Sequence, residues 1–258
     1  LEREGYSPMI KPALSYLRAV LHSQAGRADL AEKLWDKVAQ GEDRLYKIRA
    51  ELALVDLGIA TESMTPIQAT ERLEGLRFSW RGDGLELDIL KRLGTFYVAS
   101  EEYRKGFSTL SKVLRLFPDA PQTNQLRMSM IKTFQDLFLT DLGDELSPLE
   151  ALALYVDFPH LVPKGEDGNA VRSNLAERLV DIDLLDQAII LLRDLYVHGR
   201  TPQERVDTAL RIAGIRLLDQ RASLALKTLE EAKEETFKLS KEAENEWRLL
   251  HARALSDQ

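Results

Sequence analysis

The chain has 258 residues, of which 44% are apolar and 30% are charged, and its formal net charge at pH 7 is −7. This acidic balance argues against a nucleic-acid binder, because phosphate contacts need a clustered cationic surface. The absence of cysteine excludes a disulfide framework and thiolate chemistry. No apolar run approaches the ~18 residues of a membrane span, so no direct membrane insertion is predicted. The length suits one large domain, two ordinary domains or one elongated array.

A pattern of a small residue followed four positions later by a bulky residue recurs along the chain. The pairs are Ala31/Trp35, Ala69/Leu73, Gly106/Leu110, Ala151/Tyr155, Ala188/Leu192 and Ala225/Leu229. Successive small residues, called repeat markers below, are 37 or 38 positions apart, with one step of 45. Such a period is typical of helical-repeat proteins. An irregular helical bundle is the alternative.

In chain order, the pattern predicts six helix pairs and a terminal helix. The predicted repeats are 8–40, 42–76, 85–118, 122–163, 170–199 and 202–235, with a terminal helix over 240–257, all in one array over 1–258. Ser7-Pro8 predicts the first helix start, because serine is a good cap and proline is tolerated at the first helical position. Capping boxes are predicted at Thr65–Gln68, Ser147–Glu150 and Thr201–Glu204, where a serine or threonine is followed by Pro and by Gln or Glu at the third position after it.

The third repeat has the clearest pattern. Its first half places Leu90, Leu93, Gly94 and Tyr97 on one helical face. A polar break precedes the second half, which ends at a proline that cannot continue a helix. Gly94 and Gly106 both fall on the apolar stripe, which predicts a close approach of the paired helices; incidental glycines in two ordinary helices are the alternative.

This stretch resembles a tetratricopeptide repeat. The residues at the family's spacings are Leu90, Leu93, Gly94, Tyr97, Gly106, Leu110 and Pro118. The resemblance implies an all-α, right-handed superhelical solenoid of antiparallel helix pairs. It also implies a concave groove, lined by the first helix of each pair, that binds an extended or helical segment of another protein.

The resemblance places ten residues on that groove: Asp88, Lys91, Thr95, Val98, Ser173, Glu177, Val180, Asp207, Leu210 and Leu217. Lys91 stands at the position of the lysine with which some family members hold a terminal carboxylate. Thr95 replaces their asparagine, which argues against carboxylate recognition. The mixed charged and apolar lining favours a partner segment with some apolar anchors.

No catalytic, metal or cofactor constellation is found in the sequence. The histidines are scattered, and the acidic run Asp181, Asp183 and Asp186 lacks the spacing of a calcium loop, so it indicates a solvated turn. Arg81-Gly82-Asp83 indicates a turn rather than an adhesion site. We therefore predict a non-catalytic protein-binding scaffold without cofactors. The alternatives are a spacer or self-association module that uses the terminal helix and, less favoured, a helical-array enzyme or nucleic-acid regulator.

The ends of the chain suggest a segment of a longer protein. The chain begins with Leu1 rather than Met, and its terminal helix has no second helix, as in a capping helix or a cut through a longer array. The ending RLLHARALSDQ resembles segments of large bacterial tetratricopeptide proteins of the cell envelope. That resemblance implies a periplasmic location, with the cytoplasm as the alternative.

Overall fold

A computed structural model describes residues 10–258, and no β-strand occurs within that range. The predicted helix start at Ser7-Pro8 lies outside the described residues. The chain divides into two compact units, residues 1–127 and 128–258. The division falls within α7 (Thr123–Leu139).

The first unit consists of successive helix pairs. Its helices are α1 (Lys11–Gln24), α2 (Ala28–Ala39), α3 (Arg44–Ala60), α4 (Pro66–Leu76), α5 (Gly84–Ala99) and α6 (Tyr103–Leu116). Each packs against the next along the chain, and α1 also contacts α3. Apolar residues at helical spacing form the shared core, because each helix buries only one face.

The second unit repeats this plan. Its helices are α8 (Pro148–Asp157), α9 (Glu166–Asp181), α10 (Leu185–His198), α11 (Pro202–Leu218), α12 (Ala222–Leu239) and α13 (Lys241–Ser256), with short 3₁₀ helices at Asp141–Gly143 and Pro159–Leu161. Helices α8 to α13 pack in sequence, and α13 also contacts α11. The predicted all-α fold of helix pairs is confirmed.

Four of the helix pairs share one turn. Its central residue has the left-handed conformation, with φ of 70° at Gly26, 62° at Glu101, 62° at Asp183 and 57° at Gln220. Each of these residues lies five positions before a repeat marker. The next residue donates its N–H to a carbonyl five positions back, which satisfies a free carbonyl at the helix end. The second helix therefore begins at the same repeat position in each of these pairs.

Helix α4 and helix α8 begin differently, with longer connections that end in capping boxes. The Thr65 side chain accepts the N–H of Gln68, and the Gln68 side chain accepts the N–H of Thr65. Ser147 and Glu150 make the same reciprocal pair. Both predicted boxes are confirmed.

The third predicted capping box is wrong in one of its two hydrogen bonds. Thr201 accepts the N–H of Glu204, but the Glu204 carboxylate accepts the N–H of Arg200 instead of that of Thr201. The carboxylate thus bonds one residue upstream of the cap, so the reciprocal pair does not form.

The predicted close approach at the two glycines is confirmed. A Cβ on Gly94 would lie 2.5 Å from Leu110 Cδ2, and one on Gly106 would lie 2.6 Å from Val98 Cγ2 and 3.2 Å from the Gly94 carbonyl oxygen. Helices α5 and α6 therefore meet through their backbones at this point, where no side chain fits.

Candidate partner-binding surface

The first unit has a cavity of about 650 Å³ on the side lined by α1, α3 and α5. These are the first helices of their pairs, and we call this side the first-helix surface. Leu45, Leu52 and Leu85 supply part of the apolar lining, and Tyr16 supplies an aromatic ring. Burial raises the pKa of the Tyr16 phenol, so the hydroxyl stays neutral at neutral pH.

An arginine bridge joins two neighbouring first helices across this cavity. Arg92 on α5 donates from Nε to Asp56 Oδ1 at 2.9 Å and from Nη2 to Asp56 Oδ2 at 2.7 Å. Asp88 lies 3.8 Å from Arg92 Nη1. The bond to Asp56 raises the pKa of Arg92 although burial acts in the opposite direction. A bidentate pair of this kind holds both side chains in one geometry.

Arg49 is the cation in this cavity that has no carboxylate partner within residues 10–258. The carboxylates of Asp56 and Asp88 face Arg92, and Asp83 accepts hydrogen bonds from Trp80 and from a helix N–H. The Arg49 guanidinium lies 5.6 Å from the ring centroid of Tyr46, and the residue is exposed. Its donors are available to a ligand.

The second unit has a smaller cavity of about 340 Å³ between α9, α10 and α11. Leu192 and Leu195 of α10 supply apolar lining. The rim includes the acidic residues Glu166, Glu204 and Asp207. Each of the two cavities is lined by three carboxylates, but this one has a single arginine, Arg211, where the first unit has Arg49 and Arg92.

A second arginine bridge borders this cavity. Arg211 on α11 donates from Nη1 to Ser173 Oγ at 2.7 Å, and its Nη2 lies 2.8 Å from Glu177 Oε1. Arg211 and Arg92 each stand fourteen positions before the marker of their repeat. In both cases the arginine contacts the preceding first helix. Neither arginine was predicted from the sequence, although their shared position in the repeat is a usable signal.

The residues predicted for the groove of the third repeat divide into two sets. Asp88 lines the cavity, and Thr95 is exposed about two turns further along α5. Lys91 and Val98 lie at the flank of the helix and are half-buried. Val98 contacts Gly106, so part of its surface belongs to the α5–α6 packing.

In the second unit, Ser173 and Asp207 line the cavity, while Glu177 is exposed and paired with Arg211. Val180 is half-buried. The structure therefore brings together three of the residues predicted for the groove: Ser173, Glu177 and Asp207. Whether any of these residues contacts a partner stays a prediction.

Leu210 and Leu217 were placed on the groove wrongly. Their exposed fractions are 2% and 4%, and both belong to a core cluster that includes Trp247. The reason is that α13 packs against this flank of α11. Trp247 is anchored there by a hydrogen bond from its Nε1 to the Leu229 carbonyl at 2.7 Å.

The described part of the chain shows no metal centre or membrane span. No group of three histidine, aspartate or glutamate side chains within it could hold a metal ion. No helix among residues 10–258 is long and apolar enough to cross a bilayer.

Comparison with known proteins finds similar solved structures at low sequence identity. The complex of the yeast Sti1 TPR2AB domain with pHSP90 is 16% identical, with a TM-score of 0.38 over 95% of this chain and 98% of that one. A Podospora anserina kinesin light chain with TPR-like repeats is 13% identical, with a TM-score of 0.41 over 88% and 96%. A Pyrococcus horikoshii signal-transduction ATPase with a tetratricopeptide repeat sensor is 14% identical, with a TM-score of 0.34 over 94% and 45%.

No protein-family model matches the sequence. No curated protein matches it either.

Proposed function

We propose that this chain is a non-catalytic scaffold that binds a segment of another protein on its first-helix surfaces. The observation that supports the proposal is that each unit carries a partly apolar cavity next to an arginine held at the same repeat position. Because Arg92 and Arg211 are fixed by the preceding first helix, little side-chain freedom is lost when a partner binds beside them.

The partner is an extended or helical segment with apolar anchors. In the first unit, leucine side chains and the Tyr16 ring offer contact area for such anchors, and the unpaired Arg49 offers donors for a carbonyl or carboxylate. Asp88 and Thr95 lie along the same side of α5 and extend the contact. The arrangement of all repeats as one array over 1–258 stays a prediction.

Site-directed photocrosslinking tests this proposal. A photoreactive residue at Thr95 is expected to crosslink one protein reproducibly, and mass spectrometry identifies it. Ser108 of α6 is the matched control, because it is also exposed but lies on a second helix. Equal capture from both positions would count against a first-helix site.

Titration of the identified partner then gives the affinity. We expect Asp88→Lys to weaken binding about tenfold, since it reverses a charge beside the Arg92 bridge, whereas Ser108→Lys leaves binding unchanged. Unchanged binding by the Asp88 variant would exclude this cavity as the site.

Self-association through the terminal helix is a second candidate. Leu249 on α13 is 71% exposed, which leaves an apolar side chain on this helix available to a second copy of the chain. Light scattering over a range of concentrations would detect a dimer, and Leu249→Glu is expected to abolish it. A monomer at all concentrations would remove this candidate.

A further inference from the structure

The connection between α4 and α5, residues 77–83, presents an aromatic ring between two arginines. Phe78 is 71% exposed, which it shares with Leu249 as the highest value among the large apolar residues of the range 10–258. The guanidinium groups of Arg77 and Arg81 each lie 5.5 Å from the centroid of its ring. Both are within the distance at which a cation and an aromatic ring attract.

This connection is held in place by hydrogen bonds at several points. Arg44 on α3 donates to the Ser79 carbonyl, and Trp80 donates from Nε1 to Asp83 Oδ1 at 2.7 Å. The N–H of Gly82 donates to the Glu86 carboxylate at 2.7 Å. Trp80 also packs against the core of the unit. Phe78 is therefore exposed on an ordered support rather than on a free loop.

Two of the three arginines around Phe78 present their charge to solvent. The Arg81 side chain is 50% exposed, whereas the carboxylate that pairs with it, on Glu86, is 6% exposed. Arg44 lies over the Trp80 ring at 5.5 Å and pairs with no carboxylate in the range 10–258. In a chain of net charge −7, Arg44 and Arg81 present cationic groups beside these rings, whereas Arg77 is paired with Glu74 at 3.5 Å and Asp83 adds one exposed carboxylate.

We propose that this surface, formed by Arg44, Arg77, Phe78, Trp80 and Arg81 and called the Phe78 surface, docks an acidic segment of a partner protein. An apolar residue of the segment packs on Phe78, and flanking carboxylates accept hydrogen bonds from the guanidinium groups. Aromatic residues, phenylalanine included, and arginine are enriched in protein–protein interfaces. Hydrogen bonds between carboxylates and arginines also fix the orientation of the bound segment.

The Phe78 surface is distinct from the site of the proposed function, because it uses the connection between two pairs instead of the first-helix cavities. Single-stranded nucleic acid also stacks on aromatic rings beside arginine. The acidic net charge opposes that ligand, since such proteins follow the phosphate backbone with a longer cationic groove.

Binding to peptide libraries tests the proposal. The probe is a fluorescent heptapeptide library built from Asp, Glu, Leu and Phe, measured by anisotropy against the full chain. A second library replaces the acidic residues with Lys and Arg. We expect saturable binding of acidic peptides, weakened by salt, and no binding of the basic library.

Two variants locate the binding. Phe78→Ala is expected to lower the affinity for the tightest-binding acidic peptide about tenfold. Ile67→Ala is the matched control, because Ile67 is 62% exposed on the neighbouring α4 and should leave binding unchanged. Circular dichroism checks that both variants fold. An Asp88→Lys variant should also bind normally, which separates this site from the first-helix cavity.

Several outcomes would overturn the proposal. These are failure of every acidic peptide to bind, equal binding of the basic library, and equal affinity of the Phe78 and Ile67 variants. Tighter binding of a single-stranded oligothymidine would assign the surface to nucleic acid instead. A dimer of this chain that Phe78→Ala dissociates would assign it to a second copy.

Discussion

The α5–α6 pair and the α3–α4 pair lie next to each other in one unit, yet they are held together differently. In α5–α6, a left-handed turn at Glu101 joins the helices, and the backbones meet at Gly94 and Gly106. In α3–α4, a longer connection ends in a capping box at Thr65, and the Met64 side chain packs against Gly58. One pair depends on the close approach of two helices at a pair of glycines, and the other on a cap and a flexible side chain.

This difference shows where the unit tolerates change. A backbone contact cannot adjust to an added atom, because the neighbouring backbone carries the helix hydrogen bonds. A methionine can change rotamer, and a capping bond can be replaced in part by water. We therefore expect substitutions in α5–α6 to have larger effects than those in α3–α4.

The largest effect is expected from Gly106→Val. Its side chain would collide with Val98 and the Gly94 carbonyl, and we expect a loss of about 3 kcal/mol in the free energy of unfolding, measured by urea denaturation. Gly75→Ala in α4 is the control, because a Cβ there meets nothing within 4 Å. It should stabilise the protein by about 0.5–1 kcal/mol. Equal effects at both glycines would refute the comparison.

The junction between the two pairs is expected to depend on Glu86. Burial acts to raise the pKa of its carboxyl, but the hydrogen bonds from the Gly82 N–H and Arg81 outweigh burial and hold the pKa below its usual value of 4.5. Glu86→Gln should cost about 2 kcal/mol at pH 7, because it removes the charged acceptor.

The lowered pKa of Glu86 also sets a pH dependence. Its stabilisation is complete above the unfolded pKa and is lost as the pH falls through the lower folded pKa, that is, below about pH 4.5. Denaturation of wild type between pH 7 and pH 3 should therefore converge with that of Glu86→Gln. A constant difference between the two proteins over this range would show that the charge is not the cause.

A smaller effect is expected from Thr65→Ala. It removes one half of the capping box of α4 and should cost about 1 kcal/mol. Thr61→Ala is a useful control, since the Thr61 hydroxyl is exposed and bonds to a carbonyl of its own helix end. Thermal melting of both variants would show whether the cap stabilises the protein. Equal shifts in melting temperature would indicate that it does not.

The smallest effect is expected from Glu101→Gly, in the stabilising direction. Glu101 has φ of 62°, where glycine is free of the cost that a side chain imposes. The gain should be about 0.5 kcal/mol, because glycine also loses more backbone entropy on folding. A loss of stability would mean that the side chain contributes a contact at this turn.

Most of the helix-pair fold could be predicted from residue spacing, and most of the site could not. The apolar stripe and the glycine pair of α5–α6 were read correctly because residues three and four apart on a helix share a face. The partners of Arg92 and Arg211 were missed, since Asp56 is 36 positions from Arg92 and Ser173 is 38 from Arg211.

By itself, the sequence determined the helices, their buried faces, two capping boxes and the recurring marker, because these depend on interactions within a few residues. Only the tertiary structure decided which flank of each first helix stays open. Leu210 occupies the repeat position of the half-buried Lys91, yet it is buried because α13 covers that flank. The surroundings of a helix flank depend on the next helix that packs against it, and helical periodicity carries no information about that neighbour.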